Sequence, residues 1–248
     1  LAPRDYLSSY MKIGTVLLLA LGIVIVQPTV NAPMTQFMNG GPIIPGPVWP
    51  YVFITIACGA ISGFHALISS GTTPKMSELE SQSRMIAYGG MVTEGFVAIM
   101  ALISAVVLMP GDYFAINTPP AVFAKLNMPT VEIQQLSALV GMEVAGRPGG
   151  AVSLAVGMAH IFSSIGGMKH MMNYWYQFAI MFEALFILTT IDAGTRVGRY
   201  ILQDVLGTYI YAPFKRTNWL FGNLFTSFII TFSWGYLLYS GDVATIWP

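Results

Sequence analysis

Crossing ~30 Å of hydrocarbon takes about 20 predominantly apolar residues in helical form, and this chain of 248 residues holds several such stretches. Ile13 to Val26 with a little on either side, Pro50 to Ser69, Ile86 to Met109 and Trp219 to Tyr239 meet that length. A fifth, Tyr174 to Ile191, opens on Tyr174, Trp175 and Tyr176, like the aromatic belt at a membrane interface. Composition agrees: 55% of the residues are hydrophobic and only 9% charged, against ~25% charged in an average soluble domain. The expected fold is an all-α, polytopic transmembrane helix bundle with five spans, forming a single transmembrane domain over residues 1–248.

The apolar segment Ala151 to Gly167 is short, Gly-rich and contains His160, so it either crosses or dips in and returns. Charge decides between the two. If it is re-entrant, the Lys and Arg residues divide 8 against 3 between the two sides, and if it crosses they divide 5 against 6. Positively charged loops stay in the cytoplasm, which favours the re-entrant reading with the side of 8 facing inward. The connection Gln27 to Trp49 has no charge and carries Pro28, Pro33, Pro42, Pro45 and Pro47, consistent with an ordered external loop. Gly111 to Gly150 is the longest connection, and its Val131, Leu136, Leu139 and Val140 suggest an interfacial amphipathic helix.

Several function classes fall away on composition. Net charge is zero, which gives no electrostatic footprint for nucleic acid. Cys58 is a single cysteine inside an apolar segment, so neither a disulfide nor a zinc set can be built from it. The His and acidic residues lie far apart without ligand-type spacing, no phosphate-binding GxxxxGK[ST] occurs, and no nucleophile constellation is present. No metal, no cofactor and no enzymatic activity are expected. The opening Leu1-Ala2-Pro3-Arg4-Asp5-Tyr6 is not a signal peptide, and the ending Ile246-Trp247-Pro248 has no charged tail; a central piece of a longer protein is expected.

Ionisable side chains inside a membrane are costly, so they are kept where they face a protein interior or a wet cavity. In Pro50 to Ser69, Gly59 and Gly63 are spaced for close helix packing. His65 and Ser69 share a helical face, and Gly71 and Pro74 are expected to end the helix at a polar corner with the hydroxyls of Ser69, Ser70, Thr72 and Thr73. Such a corner can hold an ion or a carboxylate, or simply cap the helix. Glu94 lies eight residues into the next span, roughly 12 Å deep at 1.5 Å per residue, and enters from the same end as His65. Glu183 is the most deeply placed acid. Both are candidates to bind a proton, or in the case of Glu183 a substrate amine; the structural alternative is a buried hydrogen bond to a neighbouring helix. His160, followed by Ser163 and Ser164, is a weaker candidate of the same kind. Asp192 and Arg196 have i, i+4 spacing, suited to a gate or to a structural salt bridge. Lys169, His170 and Asn173 mark an interface.

Asp5-Tyr6-Leu7-Ser8 with Met11-Lys12-Ile13-Gly14-Thr15, TIACGAISGFHALISSGTTPK from Thr55 to Lys75, EGFVAIMA from Glu94 to Ala101 and FEALFILTTIDAGTRVGRYILQD from Phe182 to Asp204 resemble the carbon starvation protein A family of bacterial inner-membrane transporters. The resemblance runs nearly end to end and covers a central portion of the longer family members. It implies proton-driven symport of peptides or of small carboxylates such as pyruvate, as a response to carbon starvation. It further implies similarity to transporters built from inverted repeats with broken helices, into which a re-entrant Ala151 to Gly167 fits.

The expected function is therefore secondary active transport in a multi-pass protein of the bacterial inner membrane. Its partners would be the bilayer, protons, a small-molecule substrate and the remaining helices of the same chain. His65, the Ser69 to Thr73 corner, Glu94 and Glu183 would line one polar path. The rivals are a passive channel, which calls for a ring of like charges, and a non-transporting membrane subunit or starvation sensor, which calls for a soluble signalling segment.

Overall fold

A computed structural model describes residues 2–32, 47, 49–50, 63–147, 149–216 and 218–241. Every regular element among them is helical. Four helical segments are long and apolar enough to cross a membrane: Asp5–Val26, Glu80–Val106, Met172–Tyr209 and Leu220–Ser240. These correspond to four of the five expected spans. The fifth, Pro50 to Ser69, lies mostly outside the described residues, as do Cys58 and Gly59 and much of the Gln27 to Trp49 connection. The chain divides into two compact units.

The first unit comprises residues 1–56 and 84–187. Its regular elements are α1 (Ala2–Val26), most of a helix that runs from Ser83 to Val106, and the start of one that runs from Met172 to Tyr209, together with shorter pieces between them. At its centre is the 13-residue helix Ala151–Ser163, of which Ser153, Ala155, Val156, Gly157, Met158, Ala159, Ile161, Phe162 and Ser163 are buried. A helix apolar all round needs no polar stripe, because neighbours cover every face. At 1.5 Å per residue it reaches only about 20 Å, too short to cross ~30 Å of hydrocarbon alone. Gly157 allows the close approach: a Cβ there would overlap the Ser104 carbonyl oxygen and lie 2.7 Å from its carbonyl carbon.

The connection between the helices Ser83–Val106 and Ala151–Ser163 folds onto this core. Pro110–Asn117 forms a buried helix whose Asp112, 1% exposed, accepts backbone N–H groups from Val131 (3.1 Å), Glu132 (3.0 Å) and Ile133 (3.1 Å). That carboxylate caps the N-terminus of Ile133–Val140, where helical N–H groups have no partner of their own. The expected amphipathic helix is thus present over Ile133–Val140, and Leu136 and Val140 bury one turn apart while Leu139 stays exposed. Asn117 donates to Ser153 Oγ at 2.7 Å, tying this connection to the central helix.

The second unit comprises residues 57–83 and 188–248. It contains α2 (Gly63–Leu67), a π-helical turn (Ile68–Thr72), α3 (Thr73–Met76), the latter part of Met172–Tyr209, and Leu220–Ser240. With Ser83–Val106, Pro110–Asn117, Pro120–Phe123, Ile133–Val140 and Ala151–Ser163 taken as α4 to α8, the last two helices are α9 and α10. The helix does not end at Ile191, as expected from Tyr174 to Ile191: α9 runs for 38 residues to Tyr209. No proline interrupts it, and Thr195 returns its hydroxyl to the Ile191 carbonyl at 2.8 Å. Within this unit α9 meets α10 where Gly198 faces Ile230, a Cβ on the glycine lying 3.2 Å from Ile230 Cδ1. Gln203 donates to Asn223 Oδ1 across the same seam at 2.6 Å.

Candidate functional site

The polar corner differs from the expected helix end. Gly71 and Pro74 do not stop the helix; winding continues to Met76, and Ser77 leaves it in an extended conformation. The cause is local. Pro74 has no N–H to return to the fourth residue before it, and the chain responds by widening one turn, so that Thr73 N–H bonds to the Ile68 carbonyl five residues back. Single π-helical turns of this kind are frequent at functional sites.

That wide turn forms one wall of a groove of about 210 Å³ lying wholly within the second unit. Leu67, Gly71, Thr72 and Lys75 line one side, and Val197, Tyr200, Ile201, Asp204 and Val205 line the other. The second set repeats at three and four residues, a single stripe along α9. Thr72 is 6% exposed, and among the described residues its Oγ1 makes no hydrogen bond. Lys75 Nζ lies 4.7 Å from the centre of the Tyr200 ring, and the Arg199 guanidinium lies 4.9 Å from the same ring. Cations over an aromatic face are held by the ring quadrupole, so Tyr200 orients two positive charges. Asp204 sits one helical turn further along the stripe, and among the described residues no ion pair joins it to Lys75.

The expected site residues divide between the units. His65, Ser69, Ser70, Thr72, Thr73, Asp192 and Arg196 belong to the second, while Glu94, His160 and Glu183 belong to the first. Ser69 and Ser70 donate to the Ala66 carbonyl at 3.1 and 2.6 Å, so their hydroxyls serve the backbone and Thr72 alone of these three enters the groove. His65 is exposed on α2 and Glu94 is exposed on α4. A Cβ on Gly89, Gly90 or Gly95 beside Glu94 would meet nothing within 4 Å. Glu183 is half-buried on α9, and among the described residues it makes no hydrogen bond or ion pair. His160 is half-buried at the end of α8, where its carbonyl accepts Ser164 Oγ at 2.8 Å; Ser163 Oγ meets Met172 Sδ at 3.4 Å. Arg196 donates to Met76 Sδ at 3.2 Å.

Three groove residues, Lys75, Tyr200 and Asp204, were not among the expected site residues. The spacing of Val197, Tyr200, Ile201 and Asp204 was available in the sequence, but only a helix continuing past Ile191 gives it meaning. Among the described residues no group of three or more His, Cys, Asp and Glu is placed to hold a metal ion.

A family model described as "Carbon starvation protein CstA" matches residues 1–248. "Peptide transporter CstA" of Bacillus subtilis is 54% identical, over 100% of this chain and 42% of the relative. "Peptide transporter CstA" of Escherichia coli is 48% identical, over 100% of this chain and 39% of the relative. "Pyruvate/proton symporter BtsT" of Escherichia coli is 45% identical, over 100% of this chain and 40% of the relative. The chain thus spans about 40% of the length of these curated relatives. All three are named as transporters and none as an enzyme. No solved structure matches the chain.

Proposed function

The chain belongs to the carbon starvation protein CstA family, and from that premise we propose that it forms part of a secondary active transporter. The whole protein would take up peptides or small carboxylates such as pyruvate, in symport with protons, across the bacterial inner membrane when carbon is scarce. The observation that carries this reading is the match over the full chain to relatives named for peptide transport and for pyruvate/proton symport. Four helices able to cross a membrane supply the setting. Both units would belong to one transmembrane domain completed by further helices of the longer protein.

A proton symporter needs a carboxyl that gains and loses a proton as solute moves. Glu183, half-buried and without a protein partner among the described residues, fits that requirement best, and Glu94 on α4 is the second candidate. His65 and His160 are secondary proton carriers in this reading, and Asp192 with Arg196 forms a gate on the continuous part of α9. The short buried helix α8 acts as the re-entrant element against which α1 and α4 pack.

The test is uptake of labelled pyruvate and of a labelled dipeptide by the full-length protein in vesicles, with and without an imposed pH gradient. Glu183→Gln or Glu94→Gln should abolish the stimulation by the gradient while leaving protein levels unchanged. If gradient stimulation survives in both variants, proton coupling through these carboxyls is wrong.

A further inference from the structure

The groove beside the π-helical turn has walls of opposite charge that do not neutralise each other. Lys75 reaches over the Tyr200 ring, and Asp204 stands one helical turn beyond that ring on the same stripe. On the same side as Lys75 is Thr72, whose buried hydroxyl has no partner among the described residues. A buried hydroxyl without a hydrogen bond costs free energy, and the wide turn at Ile68–Thr72 is where the helix already departs from regular geometry. Cation, anion and unsatisfied hydroxyl therefore border one space of about 210 Å³.

We propose that this groove is a binding site for zwitterionic ligands, in which Lys75 and Thr72 receive a carboxylate and Asp204 receives an ammonium group. The volume suits a free amino acid or the terminal part of a short peptide. A ligand that carries only a carboxylate is disfavoured, because Asp204 repels it and is left without a partner. The apolar wall of Leu67, Val197, Ile201 and Val205 leaves room for a small aliphatic side chain. Tyr200 acts as a positioning residue: by holding the Lys75 ammonium over its ring it keeps that charge from collapsing onto Asp204. As a statement about substrate class the inference rests on the transport reading above; as a statement about binding it does not.

The experiment measures both properties on the full-length protein. Calorimetric titration of the purified, detergent-solubilised transporter uses alanyl-alanine, its N-acetyl derivative and pyruvate, and labelled alanyl-alanine uptake into proteoliposomes is measured in parallel. Alanyl-alanine should bind, and Asp204→Asn should weaken it by about tenfold, the low end of what a hydrogen bond to a charged group contributes. The N-acetyl derivative, which has no ammonium, should bind at least about tenfold more weakly than alanyl-alanine on the same basis and should gain affinity on Asp204→Asn, which removes the repelling carboxylate. Lys75→Met should weaken both, and Asp204→Glu, which keeps the charge, should retain binding of alanyl-alanine and so exclude misfolding as the cause. The proposal is overturned if wild-type protein does not bind alanyl-alanine, if Asp204→Asn and Lys75→Met bind it unchanged, or if pyruvate or the N-acetyl derivative binds equally well. Binding as expected without uptake would remove the transport reading alone, whereas uptake with an unaltered KM in both variants would remove this site alone.

Discussion

Replacing Gly157 with alanine adds one methyl group at the point where α8 comes closest to α4. The new Cβ would overlap the Ser104 carbonyl oxygen, lie 2.7 Å from the carbonyl carbon and lie 3.2 Å from Ser104 Cα. Optimal separations between carbon atoms are about 3.5–4.0 Å, so the two helices must part by roughly an ångström. The obstacle is backbone, which has no rotamer to change, and α8 is covered on its other faces, with Phe162 against Gly22 of α1. Overpacking a filled core costs typically 1–3 kcal/mol, and a backbone clash at the buried Gly157 belongs at the upper end, about 3 kcal/mol. The informative control is Gly95→Ala in α4, where a Cβ meets nothing within 4 Å. There, alanine should stabilise by roughly 0.5–1 kcal/mol through its better helix propensity. The same chemical change is therefore expected to move stability in opposite directions, with a spread of about 4 kcal/mol. Thermal unfolding of the two purified variants in detergent, followed by intrinsic fluorescence, measures the difference. A Gly157→Ala protein as stable as the Gly95→Ala protein would refute the close approach of α8 to Ser104.

Asp112→Ala should destabilise the first unit by on the order of 3 kcal/mol, because three part-buried N–H groups lose a charged acceptor. Asp112→Asn, which keeps one carbonyl oxygen, should cost less, and faster tryptic cleavage at the exposed Lys125 in the same connection would report both. Thr72→Val removes a buried hydroxyl that has no partner among the described residues, so unfolding stability should hold or rise by up to about 1 kcal/mol while alanyl-alanine binding weakens. A loss of stability in that variant would show that the hydroxyl is satisfied within the fold. The loss of gradient-stimulated uptake in Glu183→Gln or Glu94→Gln and the calorimetric contrast between Asp204→Asn and Asp204→Glu complete the set.

Much of the helical architecture could be read from residue order. The apolar runs at Ile86 to Met109 and Trp219 to Tyr239 correspond to helices within a few residues of the expected limits, and the run at Ile13 to Val26 ends where expected but begins earlier, at Ala2, because a span needs length and hydrophobicity and both are local properties. The short segment at Ala151 was recognisable as unlike the others for the same reason. The strings from Thr55 to Lys75 and from Phe182 to Asp204 pointed to the family that the whole-chain comparison shows. Less legible was where helices stop. Pro74 and Gly71 are ordinary stop signals, yet a single widened turn lets the helix pass through them, and nothing short of the backbone hydrogen-bond register shows that Thr73 bonds to Ile68. The polar run after Ile191 looked like the close of a span, yet the helix continues to Tyr209.

Residue order by itself determined that this chain is helical, apolar over most of its length and sparing with charge, since solvent preference and helix length follow from composition and periodicity along one strand of sequence. Only the tertiary structure decided which polar groups share a space. Thr72 and Asp204 are 132 positions apart, and they line one groove because a π-helical turn redirects one side chain while an unbroken α9 carries the other past the expected helix end. Burial and partnership are properties of packing between distant segments, so Asp112 as a helix cap and Gly157 as a point of contact could not be told from the chain's other acids and glycines until the helices were assembled.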